Sequence, residues 1–220
     1  MSGAWPLDDG GAWCELVAAP GSPRPALFLD RDGVIVDEVE YLCDVEKVSL
    51  CLGVAAMMAC ANRAGIAVVI VTNQSGIARG LYGWQEFAAV QAEIARRLQE
   101  AGARWDAVMA SPFHPEGRDP WRHPDHPVRK PNPGMLLAAA EALALDLPAS
   151  WILGDRATDI VAGRRAGLAG GIFLGEGYDA GEAGCALAEA GPGYAVLRAP
   201  DTAAACARLP LLAGLPCDAA

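Results

Sequence analysis

The sequence predicts an α/β fold: a doubly wound, Rossmann-like parallel sheet with helices on both faces. Short continuous apolar runs alternate along the chain with segments of helical pattern, and such runs are typical of strands buried in a parallel sheet. Hydrophobic residues make up 53% of the 220 residues and charged residues 20%. This composition supports a sizeable core and excludes an intrinsically disordered chain.

The first half of the chain supplies a lead-in and two pairs of strand and helix. Residues 1–24 are rich in Gly, Pro and Asp, and the run AWCELV within them predicts an edge strand. Gly65 is expected to cap the first helix at its C-terminus. The predicted elements are a strand at 12–17, a buried strand at 26–30, a helix at 51–64, a buried strand at 66–71 and an amphipathic helix at 84–101.

The second half begins with a strand and then changes in composition. Segment 111–134 contains seven prolines and all three histidines of the protein. Because ordered loops of this length are usually functional, we predict a proline-rich active-site loop. The other predicted elements are strands at 105–110, 151–155, 171–175 and 194–199, and helices at 135–145, 158–167 and 201–209. With no repeat and no linker, residues 1–220 are predicted to form a single domain.

Charge and cysteine content restrict the partners and the compartment. The formal net charge of −10 argues against a nucleic acid or an anionic membrane surface as partner, but not against a small phosphate ester. The seven cysteines form no CxxC pair, and Cys51 and Cys60 are expected as small core residues. We therefore expect a reduced, cytoplasmic protein, monomeric or weakly dimeric, with no membrane span.

Polar residues follow the predicted strands at their carboxyl ends, where ligands bind in such sheets. Asp30 and Asp32 follow the first buried strand, Thr72 and Asn73 follow the second, and Asp155 follows strand 151–155. Lys130 closes the proline-rich loop before a helix. Three carboxylates, one hydroxyl and one ammonium group are therefore expected to meet at one edge of the sheet.

These residue types suit phosphoryl transfer. Carboxylates held close together repel unless a cation compensates, and Mg²⁺ prefers carboxylate and phosphate oxygens. Asp30 is the candidate nucleophile, and Asp32 the candidate general acid and base. Thr72 and Lys130 would stabilise the phosphoryl oxygens, and Asp155 would complete the metal shell. Asp159 has two open roles: to orient Lys130 or a metal-bound water, or to compensate helix N-terminal charge.

Four motifs carry a family resemblance: FLDRDGVI, VTNQSGIARG, RKPNPGM and ILGDRATDI. In order and spacing they resemble the haloacid dehalogenase-like (HAD) phosphatases, over about residues 25–175. The resemblance is to the histidinol-phosphatase-type branch, and most of all to the D-glycero-D-manno-heptose 1,7-bisphosphate 7-phosphatases. It implies an aspartyl-phosphate mechanism, with Mg²⁺ held by Asp30, the backbone carbonyl of Asp32, and Asp155.

The same resemblance implies substrate-binding residues. Arg129 matches a substrate-recognition arginine, and Tyr41 ends a loop that shapes the sugar pocket. Arg156 stands where the family often has lysine. A substrate-contacting loop is matched by Asn73, Gln74 and Ser75. Arg79 is expected on a solvated face, Trp121 is the one tryptophan expected to line the pocket, and Trp84, Trp105 and Trp151 are expected in the core.

The chain departs from the branch at its structural zinc site. The family's Cys and His ligands correspond here to Ser111, Phe113, His126 and Val128, of which only His126 can bind zinc. His114, His123 and His126 form a second candidate set, but their spacing lacks a designed pattern. We expect no zinc in this protein.

The sequence leaves more than one function open. The leading prediction is a Mg²⁺-dependent phosphatase acting on a sugar phosphate such as heptose bisphosphate. A histidinol-phosphate phosphatase and a non-catalytic phosphate-binding protein are the alternatives. About 40 residues separate Asp32 from Thr72, which leaves no room for a large cap domain, so an open site is expected.

Overall fold

A computed structural model describes residues 5–177 and 181–217 of the chain. The strands are β1 Trp13–Leu16, β2 Ala26–Leu29, β3 Ala67–Asn73, β4 Ala107–Ser111, β5 Trp151–Gly154, β6 Gly170–Leu174 and β7 Ala195–Ala199. The α-helices are α1 Val54–Arg63, α2 Ser75–Arg79, α3 Trp84–Glu100, α4 Gly134–Leu143, α5 Ala157–Ala166, α6 Glu182–Leu187 and α7 Thr202–Arg208. The predicted α/β class is confirmed.

The strands form one seven-stranded sheet in the order β1-β4-β3-β2-β5-β6-β7. Only β1 runs antiparallel, at the edge beside β4, as expected for the lead-in strand. From β2 the chain winds outward through β3 and β4, then returns to the other side of β2 as β5. The reversal of winding at β2 creates the crevice in which open α/β sheets bind ligands.

Two hydrophobic layers cover the sheet because neighbouring strand residues point to opposite faces. Leu27 and Leu29 of β2 join a core shared with α1, α3 and α7. Ala26 and Phe28 face the other way, into a core shared with α4, α5 and α6. The sheet is therefore doubly wound, with helices on both faces, as predicted.

The predicted strands and helices are all present, with ends shifted by a few residues. The helices α2 and α6 were not predicted, because five and six residues are too few for a helical period to emerge. Part of the predicted lead-in, residues 1–4, lies outside the described residues. Trp84, Trp105 and Trp151 are buried, as expected.

No cap domain interrupts the sheet at the two points where one could be inserted. Segment 30–53, described throughout, contains a single 3₁₀ turn at Val45–Lys47. Segment 112–133, also described throughout, contains no helix or strand. Both segments instead lie along the carboxyl edge of the sheet, so that edge is shaped by loops.

The cysteines differ from expectation at two positions. Cys51, expected in the core, is only partly buried at its edge and lies before α1. Cys60 lies buried in α1, as predicted, but forms a disulfide with Cys217 near the C-terminus. The other five cysteines are free. Sequence reasoning missed the bond because the partners are 157 residues apart. Among the described residues, no helix is long and apolar enough to cross a membrane.

Candidate active site

All the candidate site residues line one cavity of about 700 Å³ at the carboxyl edge of the sheet. The strand ends bring them together because β2 lies between β3 and β5. The cavity is lined by Asp30, Asp32, Tyr41, Thr72, Asn73, Gln74, Ser75, Arg129, Lys130, Asp155 and Arg156. The predicted convergence of three carboxylates, one hydroxyl and one ammonium group is therefore present.

Asp30 lies at the bottom of this cavity, directly after β2. Its side chain is 11% exposed, and its Oδ1 accepts a hydrogen bond of 2.7 Å from the backbone N–H of Arg31. Burial raises the pKa of Asp30 to about 7, although the ammonium group of Lys130 acts in the opposite direction. The nearby carboxylates of Asp159 and Asp32 raise it further. At neutral pH and without a metal ion, Asp30 is therefore only partly ionised.

Lys130 is the buried cation that partly compensates these acids. Its Nζ lies 2.6 Å from Asp159 Oδ1 and 3.0 Å from Asp30 Oδ1, and it donates to the carbonyl of Val71. Burial alone would lower the pKa of Lys130, but the two carboxylates outweigh burial and raise it. The amide of Asn73 bonds both the N–H and the carbonyl of Lys130. Asn73 therefore fixes the loop end that delivers the ammonium group.

Asp155 completes an acidic floor, which we define as Asp30, Asp155 and Asp159. One carboxylate oxygen from each lies within 4.8 Å of the other two. Burial raises the pKa of Asp155 to about 8, and the charges of Asp30 and Asp159 add to the effect. A β-carbon on Gly33 would lie 2.0 Å from Asp155 Oδ2, so only glycine permits this approach. Three hard oxygen donors with excess negative charge fit a divalent cation such as Mg²⁺.

Asp159 fulfils both of the roles left open by the sequence. Its Oδ2 accepts a hydrogen bond from the N–H of Arg156 at the start of α5, as in a capping box. Its Oδ1 pairs with Lys130. A β-carbon on Gly154 would lie 2.2 Å from Asp159 Cβ, so this glycine lets α5 approach the end of β5.

Asp32 is held by hydrogen bonds of its own, outside the acidic floor. Its carboxylate accepts bonds from Nε and Nη2 of Arg31, which is 1% exposed, and from Nε2 of Gln74. The Gln74 amide also donates to Thr72 Oγ1 and accepts from the hydroxyl of Tyr82. Gln74 was expected to contact substrate, yet both ends of its amide are bonded within the protein. Arg31 and Tyr82 were missed, since nothing in sequence spacing distinguishes them from core residues.

The same cavity is also lined by a basic cluster, the cationic wall, which we define as Arg79, Arg129 and His114. Burial, and then the charges of Arg129 and Arg79, lower the pKa of His114. Burial and the charge of Arg79 lower the pKa of Arg129. The expectation that Arg79 lies on a solvated face is only half correct: its side chain is 38% exposed and lies 3.7 Å from the exposed Glu116. The same side chain also lines the cavity, where its Nη2 lies 3.2 Å from His114 Nε2.

Comparison with known proteins decides the family. A curated relative from Mesorhizobium japonicum, a D-glycero-beta-D-manno-heptose-1,7-bisphosphate 7-phosphatase, is 48% identical over 83% of this chain and 84% of its own length. The chain belongs to the heptose-bisphosphate phosphatase family of HAD-like hydrolases. The predicted family is therefore confirmed, and the protein is a HAD-type phosphatase.

Other relatives of this HAD-like phosphatase support the same family assignment. A model of the HAD-hydrolase-like family matches residues 127–196. A D-glycero-alpha-D-manno-heptose-1,7-bisphosphate 7-phosphatase from Burkholderia mallei is 40% identical over 65% of this chain and 76% of its own. A structure described as a HAD-like phosphatase from Mesorhizobium loti has a TM-score of 0.83, with 44% identity and 95% coverage of both chains.

One solved relative carries ligands. The D,D-heptose 1,7-bisphosphate phosphatase from B. bronchiseptica, complexed with magnesium and phosphate, has a TM-score of 0.69 and 28% identity. The match covers 84% of this chain and 97% of that one. The acidic floor of the present HAD-like phosphatase has the donor chemistry that such a metal requires.

The proline-rich loop of this HAD-like phosphatase is held by aromatic packing. The rings of Phe113 and His126 stack with centroids 3.5 Å apart. Trp121 packs edge-on against Phe113 and Trp84, so the expectation that Trp121 lines the pocket is wrong. In the described part of the chain, the acidic floor is the one cluster of three potential metal ligands, and the three histidines form none.

Proposed function

We propose that this phosphatase removes the 7-phosphoryl group of D-glycero-D-manno-heptose 1,7-bisphosphate in a Mg²⁺-dependent reaction. One observation carries the proposal: the cavity combines a buried acidic floor with a cationic wall. The floor suits a metal ion and a reacting phosphoryl group, and the wall suits a second anionic group. A substrate with two phosphates meets both requirements, and the named relatives act on such a substrate.

In the proposed reaction Asp30 attacks phosphorus and forms an aspartyl-phosphate. The bond from phosphorus to the sugar oxygen breaks, and Asp32 protonates that oxygen as it leaves. Asp32 then takes a proton from the water that hydrolyses the aspartyl-phosphate and releases phosphate. Thr72 Oγ1 already accepts a bond from Gln74, so its hydroxyl proton is available to a phosphoryl oxygen, as is the ammonium group of Lys130.

We propose that Asp30, Asp155 and the backbone carbonyl of Asp32 hold Mg²⁺. The raised pKa values of Asp30 and Asp155 support this assignment, because groups that retain protons for lack of a cation gain most from one. The metal would offset the negative charge of the phosphoryl group and keep Asp30 ionised as a nucleophile. Asp159 is bonded to Lys130 and to the start of α5, so we assign it to orienting Lys130.

The cationic wall favours the bisphosphate over histidinol phosphate. Histidinol carries an ammonium group, which would meet repulsion from Arg79 and Arg129. The second phosphate of the heptose would instead offset both the burial and the repulsion from Arg79 that lower the pKa of Arg129. The Nε atom of Arg79 is a buried donor with no hydrogen-bond partner among the described residues. A phosphate oxygen would satisfy it.

The test compares phosphate release from both anomers of the heptose bisphosphate, from other sugar phosphates and from histidinol phosphate, all with Mg²⁺. We expect the bisphosphate to have the highest kcat/KM and Asp30→Asn to abolish release. A preference for histidinol phosphate would refute the substrate assignment. Turnover at the wild-type rate in Asp30→Asn would refute the aspartyl-phosphate mechanism.

The remaining sequence predictions become proposals here. We propose that the enzyme acts as a single domain in the cytoplasm, as a monomer or weak dimer, without nucleic acid or membrane partners. The net charge of −10 and a metabolite substrate support this. Five free cysteines fit a reducing compartment, whereas the Cys60–Cys217 disulfide argues the other way. Thiol titration of denatured protein tests the disulfide: we expect five reactive thiols when it is formed and seven when it is reduced.

We also propose that the enzyme binds no zinc. Each histidine of the proline-rich loop accepts a backbone N–H bond at Nδ1, and the ring of His126 is stacked on Phe113. This packing replaces the contacts that a structural metal would supply to the loop. Near-stoichiometric zinc in the purified protein, measured by elemental analysis, would overturn the proposal.

A further inference from the structure

We infer that Tyr82 and Gln74 are positioning residues for the leaving-group step, because together they fix the orientation of the Asp32 carboxylate. The inference rests on the proposed function, in which Asp32 protonates the departing sugar oxygen. Neither residue needs to touch substrate for this role. Their effect passes through a partly buried chain of hydrogen bonds that ends on Asp32.

The carboxylate of Asp32 is held from two sides. Arg31 donates to Oδ1 from Nε at 3.0 Å and from Nη2 at 2.8 Å, and the same Nη2 lies 2.9 Å from Oδ2. Gln74 Nε2 donates to Oδ2 at 3.0 Å. The guanidinium of Arg31 is itself fixed, since it is 1% exposed and lies 5.5 Å from the ring centre of Phe87. Rotation of the carboxylate would therefore break bonds on both sides.

Tyr82 decides which end of the Gln74 amide faces Asp32. A glutamine amide can turn over and exchange its donor and acceptor ends. Here the Tyr82 hydroxyl donates to Gln74 Oε1 at 2.6 Å, which leaves the two N–H groups for Asp32 and Thr72. Burial raises the pKa of Tyr82, so the phenol stays protonated and remains a donor. Loss of this hydroxyl would let the amide turn its oxygen toward the Asp32 carboxylate.

Gly76 gives Tyr82 the room to reach Gln74. A β-carbon at Gly76 would lie 2.1 Å from Tyr82 Cε1 and 2.9 Å from Tyr41 Cδ1. The two tyrosine rings therefore pack against the backbone of α2, just after Gln74. Gln74 is 2% exposed, and this packing keeps water from competing for its amide. The arrangement is built for orientation rather than for contact with solvent or substrate.

Leaving groups of different strength test the inference. A sugar alkoxide needs a proton as it departs, whereas p-nitrophenolate leaves readily without one. Because kcat/KM covers the steps up to leaving-group departure, later hydrolysis of the aspartyl-phosphate does not affect it. Misplacing Asp32 should therefore lower kcat/KM for the sugar phosphate selectively. Any disturbance of Thr72 would slow both substrates alike and cancel in the ratio.

The central variant is Tyr82→Phe, which removes the hydroxyl and keeps the ring. We expect kcat/KM for the heptose bisphosphate to fall about tenfold more than kcat/KM for p-nitrophenyl phosphate. A positioned general acid contributes about 10²–10⁴-fold to a rate, and misplacing it should remove part of that contribution. Tyr194→Phe is the matched control: its buried hydroxyl donates to the carbonyl of Ile160, and its ratio should stay at the wild-type value. In Gln74→Met, the selective loss of kcat/KM for the heptose bisphosphate should be at least as large as in Tyr82→Phe.

Asp32→Asn separates failure of this inference from failure of the proposed function. If Asp32 is the acid, Asp32→Asn shows a strong substrate-dependent loss, and adding Tyr82→Phe to it changes the ratio no further. Equal losses for both substrates, or none, in Tyr82→Phe alone would overturn the positioning role. Equal losses in Asp32→Asn itself would overturn the proposed acid.

Discussion

The acidic floor and the cationic wall of the cavity pose opposite electrostatic problems. In the floor, the acids share the single ammonium group of Lys130, and burial raises the pKa of Asp30 and Asp155. In the wall, burial and the neighbouring guanidinium groups lower the pKa of Arg129 and His114, so the two arginines carry the positive charge. Each region is therefore destabilised by its own charge until a ligand of opposite charge binds.

This electrostatic difference between floor and wall suggests how one open cavity can select a substrate without a cap domain. The floor is built from strand ends and is buried, so it fixes the reacting phosphoryl group and the metal. The wall is built from α2 and the proline-rich loop and is partly exposed. It can only supply charge at a distance from the chemistry. Variants of the floor should therefore abolish the reaction, and variants of the wall should change substrate preference.

Replacing Lys130 should have the largest effect. Lys130→Met leaves Asp30 and Asp159 buried without their shared cation, so we expect turnover to fall about 10³-fold and the free energy of unfolding to fall by about 3 kcal/mol. Lys47→Met removes the other lysine of the chain, which is exposed, and should change neither. Steady-state kinetics and urea unfolding measure the two effects. A Lys130→Met enzyme with normal turnover would contradict the role given to the floor.

Gly33 offers a more selective change to the floor. Gly33→Ala should weaken Mg²⁺ binding about tenfold to a hundredfold, as changes beside metal ligands commonly do, because the new β-carbon displaces Asp155. Gly65→Ala is the matched control, since both glycines have a positive φ, +75° and +73° respectively, and nothing lies near Gly65. Both variants should lose about 1–2 kcal/mol of stability because alanine is strained at positive φ, and Gly33→Ala should lose more because of its contact with Asp155. Isothermal titration calorimetry should show weaker Mg²⁺ binding for Gly33→Ala and wild-type binding for Gly65→Ala.

The pH dependence of metal-free stability gives a third test. Burial raises the folded-state pKa values of Asp30 and Asp155 to about 7 and about 8, from the ordinary aspartate pKa of 3.8. Between these limits the folded state binds more protons than the unfolded state, so stability is fully present below about pH 4 and is lost as pH rises to about 8.

From these groups we expect a melting temperature in EDTA that is several degrees lower at pH 8 than at pH 5, at about 2–4 °C per kcal/mol. Mg²⁺ should restore it at pH 8. Asp30→Asn removes one titrating group and should flatten the dependence. A melting temperature in EDTA that rises from pH 5 to pH 8 would contradict the raised pKa values.

The floor could be predicted from the sequence, whereas in the wall only Arg129 was anticipated, through the family resemblance. Asp30 and Asp155 of the floor, like Thr72 beside it, follow or end buried strands, and the register of a parallel sheet places such ends together whatever the details of packing. Arg79 sits on a five-residue helix whose direction depends on tertiary contacts. The local sequence pattern therefore predicted a solvent-exposed side chain for Arg79.

Side-chain partners were the other part that the sequence could not supply. Gln74 and Asn73 were correctly placed at the cavity, but their amides bond Asp32 and Lys130. Which partner an amide selects depends on distances of a few tenths of an ångström. The Cys60–Cys217 disulfide escaped prediction for a related reason, since seven cysteines allow many pairings.

Replacing an arginine of the cationic wall should have the smallest effect on catalysis and the most substrate-specific one. Arg79→Gln removes one of the charges that would bind the second phosphate. We expect KM for the heptose bisphosphate to rise about tenfold, the size of one charge-assisted hydrogen bond, with kcat unchanged.

A heptose 7-monophosphate lacks the second phosphate, so its KM should change less than twofold by the same reasoning. Arg96→Gln removes an exposed arginine of α3, paired with Glu93 and Glu100, and should leave both substrates unaffected. An equal rise in KM for both substrates would mean that Arg79 serves the reacting phosphate, and the division of the cavity into floor and wall would then fail.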